Sequence, residues 1–181
     1  MHRVLVTGAT GLLGSTLVPY LKSAGFEVLT SAVRSGEPSF HADLTDLRQA
    51  TRLLHHARAD IIINLTAATD VDQCERDPHY AFRLNVQSAH NLAAANSATE
   101  KPARFIHLST DHVYDGAGPQ TEDRVTIRNH YAMSKLAGEF AVLASSASVT
   151  VLRVNFIGRS NCAGRTSFSD WVVAALKQNS R

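Results

Sequence analysis

Val4-Leu5-Val6-Thr7-Gly8-Ala9-Thr10-Gly11-Leu12-Leu13-Gly14 places an apolar triplet, a turn with three glycines and the start of an apolar period one after another. Val4 to Val6 reads as a buried strand. Leu13, Leu17 and Leu21 then fall at i, i+4 and i+8, one face of a helix that Gly25 ends. Pro19 removes one backbone hydrogen bond from that helix, and a kink is expected there because the apolar spacing continues past it. Glycines between a strand and a helix have a physical use. The helix N-terminus aims backbone N–H groups at an anion, side chains at positions 8 and 11 would hold a phosphate off, and Gly14 lets the helix pack closely on the strand. The arrangement predicts a pyrophosphate cradle for a dinucleotide.

Outward from this turn, strand and helix patterns alternate, the signature of βαβ units and a parallel sheet. Strands are predicted at Glu27 to Ser31, Ser39 to Ala42, Ile61 to Ile63, Phe105 to Leu108 and Val149 to Val154. Helices are predicted from Asp46 with Thr45 as cap, after Pro78 with Phe82, Ala89 and Leu92 inward, from Tyr131 to Leu143 with Leu136 and Phe140 on the buried side, and from Phe168 to Leu176. A polar loop occupies 115 to 129. The fold expected is a Rossmann-type doubly wound α/β sheet with helices on both faces.

Tyr131 and Lys135 lie four positions apart on a predicted helix, so both project from one face. A phenol titrates near pH 10, and an adjacent ammonium favours the phenolate. Two to three units of depression would require roughly 3 to 4 kcal/mol from the lysine and a nicotinamide charge together. The segment Leu108-Ser109-Thr110-Asp111-His112-Val113-Tyr114-Asp115-Gly116 leaves the carboxyl edge of the fifth strand, where ligands bind in such sheets.

The turn is T-G-x-x-G-x-x-G, and with the tyrosine and lysine motif it resembles the extended short-chain dehydrogenase/reductase family. Ser109-Thr110-Asp111-His112-Val113-Tyr114-Asp115-Gly116, Thr121-Glu122-Asp123 and Asn64-Leu65-Thr66-Ala67-Ala68-Thr69-Asp70-Val71-Asp72 with Glu75 are similar to the dTDP-4-dehydrorhamnose reductase group within it. The resemblance implies reduction of a keto group on a nucleotide-linked 4-keto-deoxysugar. Thr110, Tyr131 and Lys135 would be catalytic, Tyr131 as proton donor and Thr110 as hydroxyl donor to the carbonyl. Gly8, Thr10, Gly11, Leu12, Leu13, Gly14, Arg34, Asp43, Leu44, Thr66, Ala67, Ala68, Asn85, Tyr131 and Lys135 would hold the cofactor. Arg34 stands where an acidic residue would hold a ribose, which favours NADP over NAD. Related dehydratases carry a glutamate where this chain has His112, which favours reduction over water elimination. The alternatives are a non-catalytic NADP-binding regulatory subunit and an epimerase or dehydratase. Residues 1–157 would form the dinucleotide-binding domain and 158–181 the start of a substrate-binding lobe that is largely missing. The chain is then either a fragment or a shortened protein, and weak or no catalysis is expected of it alone.

Composition excludes other classes. Of 181 residues 44% are hydrophobic and 19% charged, with net charge +2 and the basic residues scattered, so no nucleic-acid or membrane footprint is expected. Cys74 and Cys162 lie far apart and no secretory or membrane segment is visible, which fits reduced thiols in a cytoplasmic protein. His55 and His56 are expected to point apart on a surface helix, and no spacing matches a metal site. Trp171 with Val172, Ala175 and Leu176 is read as packing surface. The partners expected are a nucleotide-sugar and, at most, a second copy of the chain as a homodimer.

Overall fold

The computed structural model describes residues 1–33, 38–145, 148–162 and 164–179. Its six strands are β1 (Arg3–Thr7), β2 (Glu27–Ala32), β3 (Phe40–His41), β4 (Ile61–Asn64), β5 (Arg104–Thr110) and β6 (Val149–Val154), in one sheet of order β3-β2-β1-β4-β5-β6. All pairings are parallel. This is the doubly wound, Rossmann-type α/β fold. The order reverses direction between β1 and β4, which opens a crevice outside their carboxyl ends.

The apolar runs pack on both faces of the sheet. Val4, Leu5 and Val6 are all 0% exposed, and side chains alternate along a strand. Leu5 joins Ile62, Phe105, Leu53, Leu54 and Leu92 beneath α2 (Leu47–Ala57), α5 (Ser88–Ser97) and α6 (His130–Ser145). Val4 and Val6 face the other way, onto Val18 and Leu21 of α1 (Gly14–Ser23), which runs uninterrupted through Pro19. Each fully buried Leu or Val side chain contributes about 1.5–3 kcal/mol.

Four local readings change. Asp46, not Thr45, caps α2: its backbone is extended and its carboxylate accepts Arg48 N–H at 2.8 Å, while the Thr45 hydroxyl donates to Asp43 at 2.7 Å. A short helix α3 (Val71–Arg76), capped by Asp70, precedes α4 (Pro78–Phe82). The helix after Pro78 is interrupted by a π turn at Arg83–Gln87. The wider turn shifts the helical phase, so Ala89 and Leu92 are buried while Phe82 is 53% exposed. On α6 the buried positions are Tyr131, Ala132, Ser134, Lys135, Gly138, Glu139 and Val142, which leaves Phe140 64% exposed instead of buried. Met133 and Leu143 are exposed beside it.

On the surface, the rings of His55 and His56 meet edge-on with centroids 5.5 Å apart and do not point apart. Trp171, on α7 (Phe168–Asn179), stacks on Phe168 and stays exposed. Among the described residues no helix is long and apolar enough to cross a membrane.

Candidate cofactor and active site

At the carboxyl end of β1 the chain turns through Gly8 at φ +66°, and a Cβ there would stand 2.8 Å from the Leu65 carbonyl carbon and the Thr66 nitrogen. A side chain at this position is excluded twice over, by conformation and by the backbone that leaves β4. A Cβ on Gly14 would lie 2.3 Å from the Ala9 oxygen, so α1 does close on the turn as the spacing implied. The turn is one wall of a cleft of about 360 Å³. Gly8, Thr10, Gly11, Leu12, Leu13, Gly14, Leu44, Thr66, Ala67, Thr110 and Tyr131 line it, as do Asp111, His112, Asn155, Phe156 and Arg165.

Asp43, Ala68, Asn85 and Lys135 are not among the lining residues. Asp43 accepts both the backbone N–H and the hydroxyl of Thr45. Asn85 is 1% exposed, its oxygen accepting Ala68 N–H at 2.8 Å and its nitrogen donating to the Ala68 carbonyl and the Ser134 hydroxyl. It thereby ties the Thr66–Ala68 turn to α6. Arg34 lies outside the described residues.

The start of α6 is fixed by side chains. Asn129 accepts Ala132 N–H at 2.7 Å, and Glu75 accepts His130 N–H at 2.9 Å while pairing with the His130 ring at 3.0 Å. Further along, a Cβ on Gly138 would stand 2.4 Å from the Asn85 carbonyl oxygen. Backbone cannot yield there cheaply, so Gly138→Ala is expected to cost about 2 kcal/mol by overpacking, read as a shifted urea midpoint with unchanged slope.

Thr110 and Ser109, adjacent in sequence, part company. The Thr110 hydroxyl donates to Asp111 at 3.5 Å, accepts His112 N–H at 3.2 Å and lies close enough to act on the Tyr131 phenol, whereas Ser109 donates to Glu139. Burial raises the Tyr131 phenol above its ordinary value, and the Thr110 hydroxyl only partly opposes this. Lys135, from which with the nicotinamide charge a depression was expected, is not among the groups acting on the phenol. Its Nζ donates to the Leu108 carbonyl at 2.6 Å. Burial brings Lys135 down to about 8, against the charge of Glu139, which raises it. The His112 ring meets the Tyr131 ring edge-on at 5.5 Å.

Beneath the cleft lie two polar networks that sequence reading missed. Glu139 is 3% exposed and accepts three hydrogen bonds from Arg153 at 2.7–3.1 Å. Arg153 also donates to the Tyr114 hydroxyl at 2.7 Å and the Glu122 carbonyl at 2.8 Å, joining β6, α6 and the loop after β5. These hydrogen bonds, those to Glu139 foremost, raise the Arg153 pKa. In the second network Asn64 accepts from the Thr7 hydroxyl at 2.7 Å and from Thr66 N–H at 3.2 Å, and its nitrogen donates to His107 Nδ1 at 3.1 Å. His107 Nε2 has no hydrogen-bond partner.

The chain is 37% identical over 181 residues to the probable low-salt glycan biosynthesis reductase Agl14 of Haloferax volcanii, covering 94% of this chain and 59% of that protein. It is 34% identical over 156 residues to methionine adenosyltransferase 2 subunit beta of Rattus norvegicus, covering 84% and 46%. Among solved structures, dTDP-4-dehydrorhamnose reductase from Bacillus anthracis in complex with NADP superposes with a TM-score of 0.73 at 29% identity, over 84% of this chain and 52% of that one. The chain thus spans roughly half to three fifths of the relatives' lengths. Residues 1–178 match the RmlD substrate binding domain, and the chain belongs to that family.

Proposed function

We propose that this chain is the dinucleotide-binding part of an NAD(P)-dependent reductase acting on a keto group of a nucleotide-linked sugar, a 4-keto-deoxysugar being the best fit. The carrying observation is one cleft whose wall runs from the Gly8–Gly14 turn to Tyr131, with the Thr110 side chain lining it beside the phenol. The shape of the turn fits a dinucleotide, since Gly8 has no room for a Cβ where backbone approaches backbone. Gly8 through Gly14, Leu44, Thr66 and Ala67 would hold it, with NADP preferred over NAD. When bound, the dinucleotide supplies the hydride.

The chain's own residues handle the proton and the charge. Tyr131, above its ordinary pKa, keeps its proton at neutral pH and donates it from Oη to the keto oxygen. The Thr110 hydroxyl is placed to meet negative charge developing on that oxygen. Lys135, held by the Leu108 carbonyl, keeps a cation under the site. His112 offers no carboxylate for water elimination, and the nearby Asp111 is engaged by Asn155 Nδ2 at 2.9 Å. Residues 1–157 form the cofactor part in this reading, 158–181 open the substrate lobe, and the exposed Met133, Phe140 and Leu143 stripe of α6 is where a homodimer would meet.

Oxidation of NADPH with dTDP-4-dehydrorhamnose, followed at 340 nm in the full-length protein, is expected to fall at least a hundredfold in Tyr131→Phe. Undiminished turnover would remove the phenol from the mechanism. The 34% identity to methionine adenosyltransferase 2 subunit beta supports a second reading, a nucleotide-binding regulatory subunit. Calorimetric titration with NADPH and NADH beside the turnover assay separates the two, because tight binding without turnover on any keto-sugar favours regulation.

A further inference from the structure

The residues after β6 return across the mouth of the cleft to the glycine turn. The Cys162 thiol donates to the Thr10 carbonyl at 3.3 Å, and Asn161 Nδ2 donates to the Thr16 hydroxyl of α1 at 3.1 Å. One carboxylate oxygen of Asp170 gathers both flanks, accepting Ser160 N–H at 2.9 Å, Ser167 N–H at 3.0 Å and the Ser167 hydroxyl at 2.8 Å. Arg165 follows in a turn closed by its own N–H on the Cys162 carbonyl at 3.2 Å. Its exposed side chain lines the cleft and is the sole lysine or arginine among the described lining residues. No carboxylate pairs with it among the described residues.

A diphosphate diester carries two negative charges. A helix N-terminus answers with about half an elementary charge, and the first turn of α1 has no basic side chain to add. The deficit lies where Arg165 is held. We infer that Arg165 is the side-chain cation for the cofactor's pyrophosphate, carried to the glycine turn by the Asn161 and Cys162 anchors. The inference rests on the dinucleotide reading above and moves part of the segment assigned to the sugar lobe onto the cofactor side. The anchors, both on the glycine turn or on α1, are what favour the cofactor over the diphosphate of a nucleotide-sugar.

Isothermal titration of the chain with NADPH, ADP-ribose and dTDP tests it. Arg165→Met is expected to raise Kd for NADPH and for ADP-ribose about tenfold, as loss of an exposed charge-assisted hydrogen bond would. Arg165→Lys should recover part of that loss, dTDP binding should not change, and the melting temperature should hold because Arg165 is exposed. A Kd for NADPH unchanged by Arg165→Met, while the wild-type chain binds it, overturns this inference alone. Weakened dTDP with unchanged NADPH also overturns it, by giving the cation to the nucleotide-sugar. A wild-type chain that binds no dinucleotide overturns the functional proposal and this inference with it.

Discussion

Between pH 6.5 and pH 4.5 the protein is expected to lose about 2 kcal/mol of stability through a single imidazole, His107, the slope approaching about 1.4 kcal/mol per pH unit at the acid end. His107 is 0% exposed. Burial first, and the nearby Lys135 cation second, lower its pKa from 6.5 to about 3. Its surroundings offer nothing to a second proton: Asn64 of β4 donates to Nδ1, and Nε2 faces α6 near Gly138 without a partner. Between those two pKa values the unfolded chain therefore binds a proton that the folded chain refuses. The contribution is complete above pH 6.5 and drains away as the pH falls toward 3. Urea unfolding across this range should show a slope nearer zero in His107→Gln than in the wild type. Equal slopes would mean that His107 is not the group responsible.

Arg153→Met is expected to cost about 3 kcal/mol or more, the range for removing one partner of a buried ion pair. The side chains of Glu139 and Arg153 are 4% and 16% exposed, so neither is screened as a surface pair would be. The substitution leaves the buried Glu139 carboxylate with the Ser109 hydroxyl and the charge of Lys135 but no direct ion pair, and it frees Tyr114 and the Glu122 carbonyl from β6. Adding Glu139→Gln removes the stranded charge, and the double variant should recover most of the loss. A double-mutant cycle from chemical denaturation gives the coupling. A single-variant loss under 1 kcal/mol would show that the pair is no more than a surface contact.

Much of this molecule could be read before any coordinates. The strand–turn–helix opening and the parallel alternation both follow from local spacing, which sequence displays. The misreadings share one cause. Phe140 and Phe82 were placed inward because apolar residues mark a buried face in an ordinary helix. On α6 the buried face instead carries Ser134, Lys135 and Glu139, polar groups satisfied by distant partners that no periodicity records, and Gly138, against which the Asn85 backbone packs. The π turn at Arg83–Gln87 likewise leaves no sequence signal, yet it resets the phase of the helix carrying Phe82. Tyr131 and Lys135 do share a helical face, but spacing does not tell which way a lysine side chain swings, and the Leu108 carbonyl takes it.

β1 and β4 occupy the middle of the sheet, and their carboxyl ends carry the Gly8 turn and the Thr66 turn. In native-state hydrogen–deuterium exchange the amides of Val4 to Val6 and Ile62 should be the slowest, opening only with global unfolding, while the two-residue edge strand Phe40–His41 exchanges early. Fraying at the rim of the sheet can then come and go without dismantling the Gly8 and Thr66 turns. The last cooperative unit to melt is the one on which those turns are mounted.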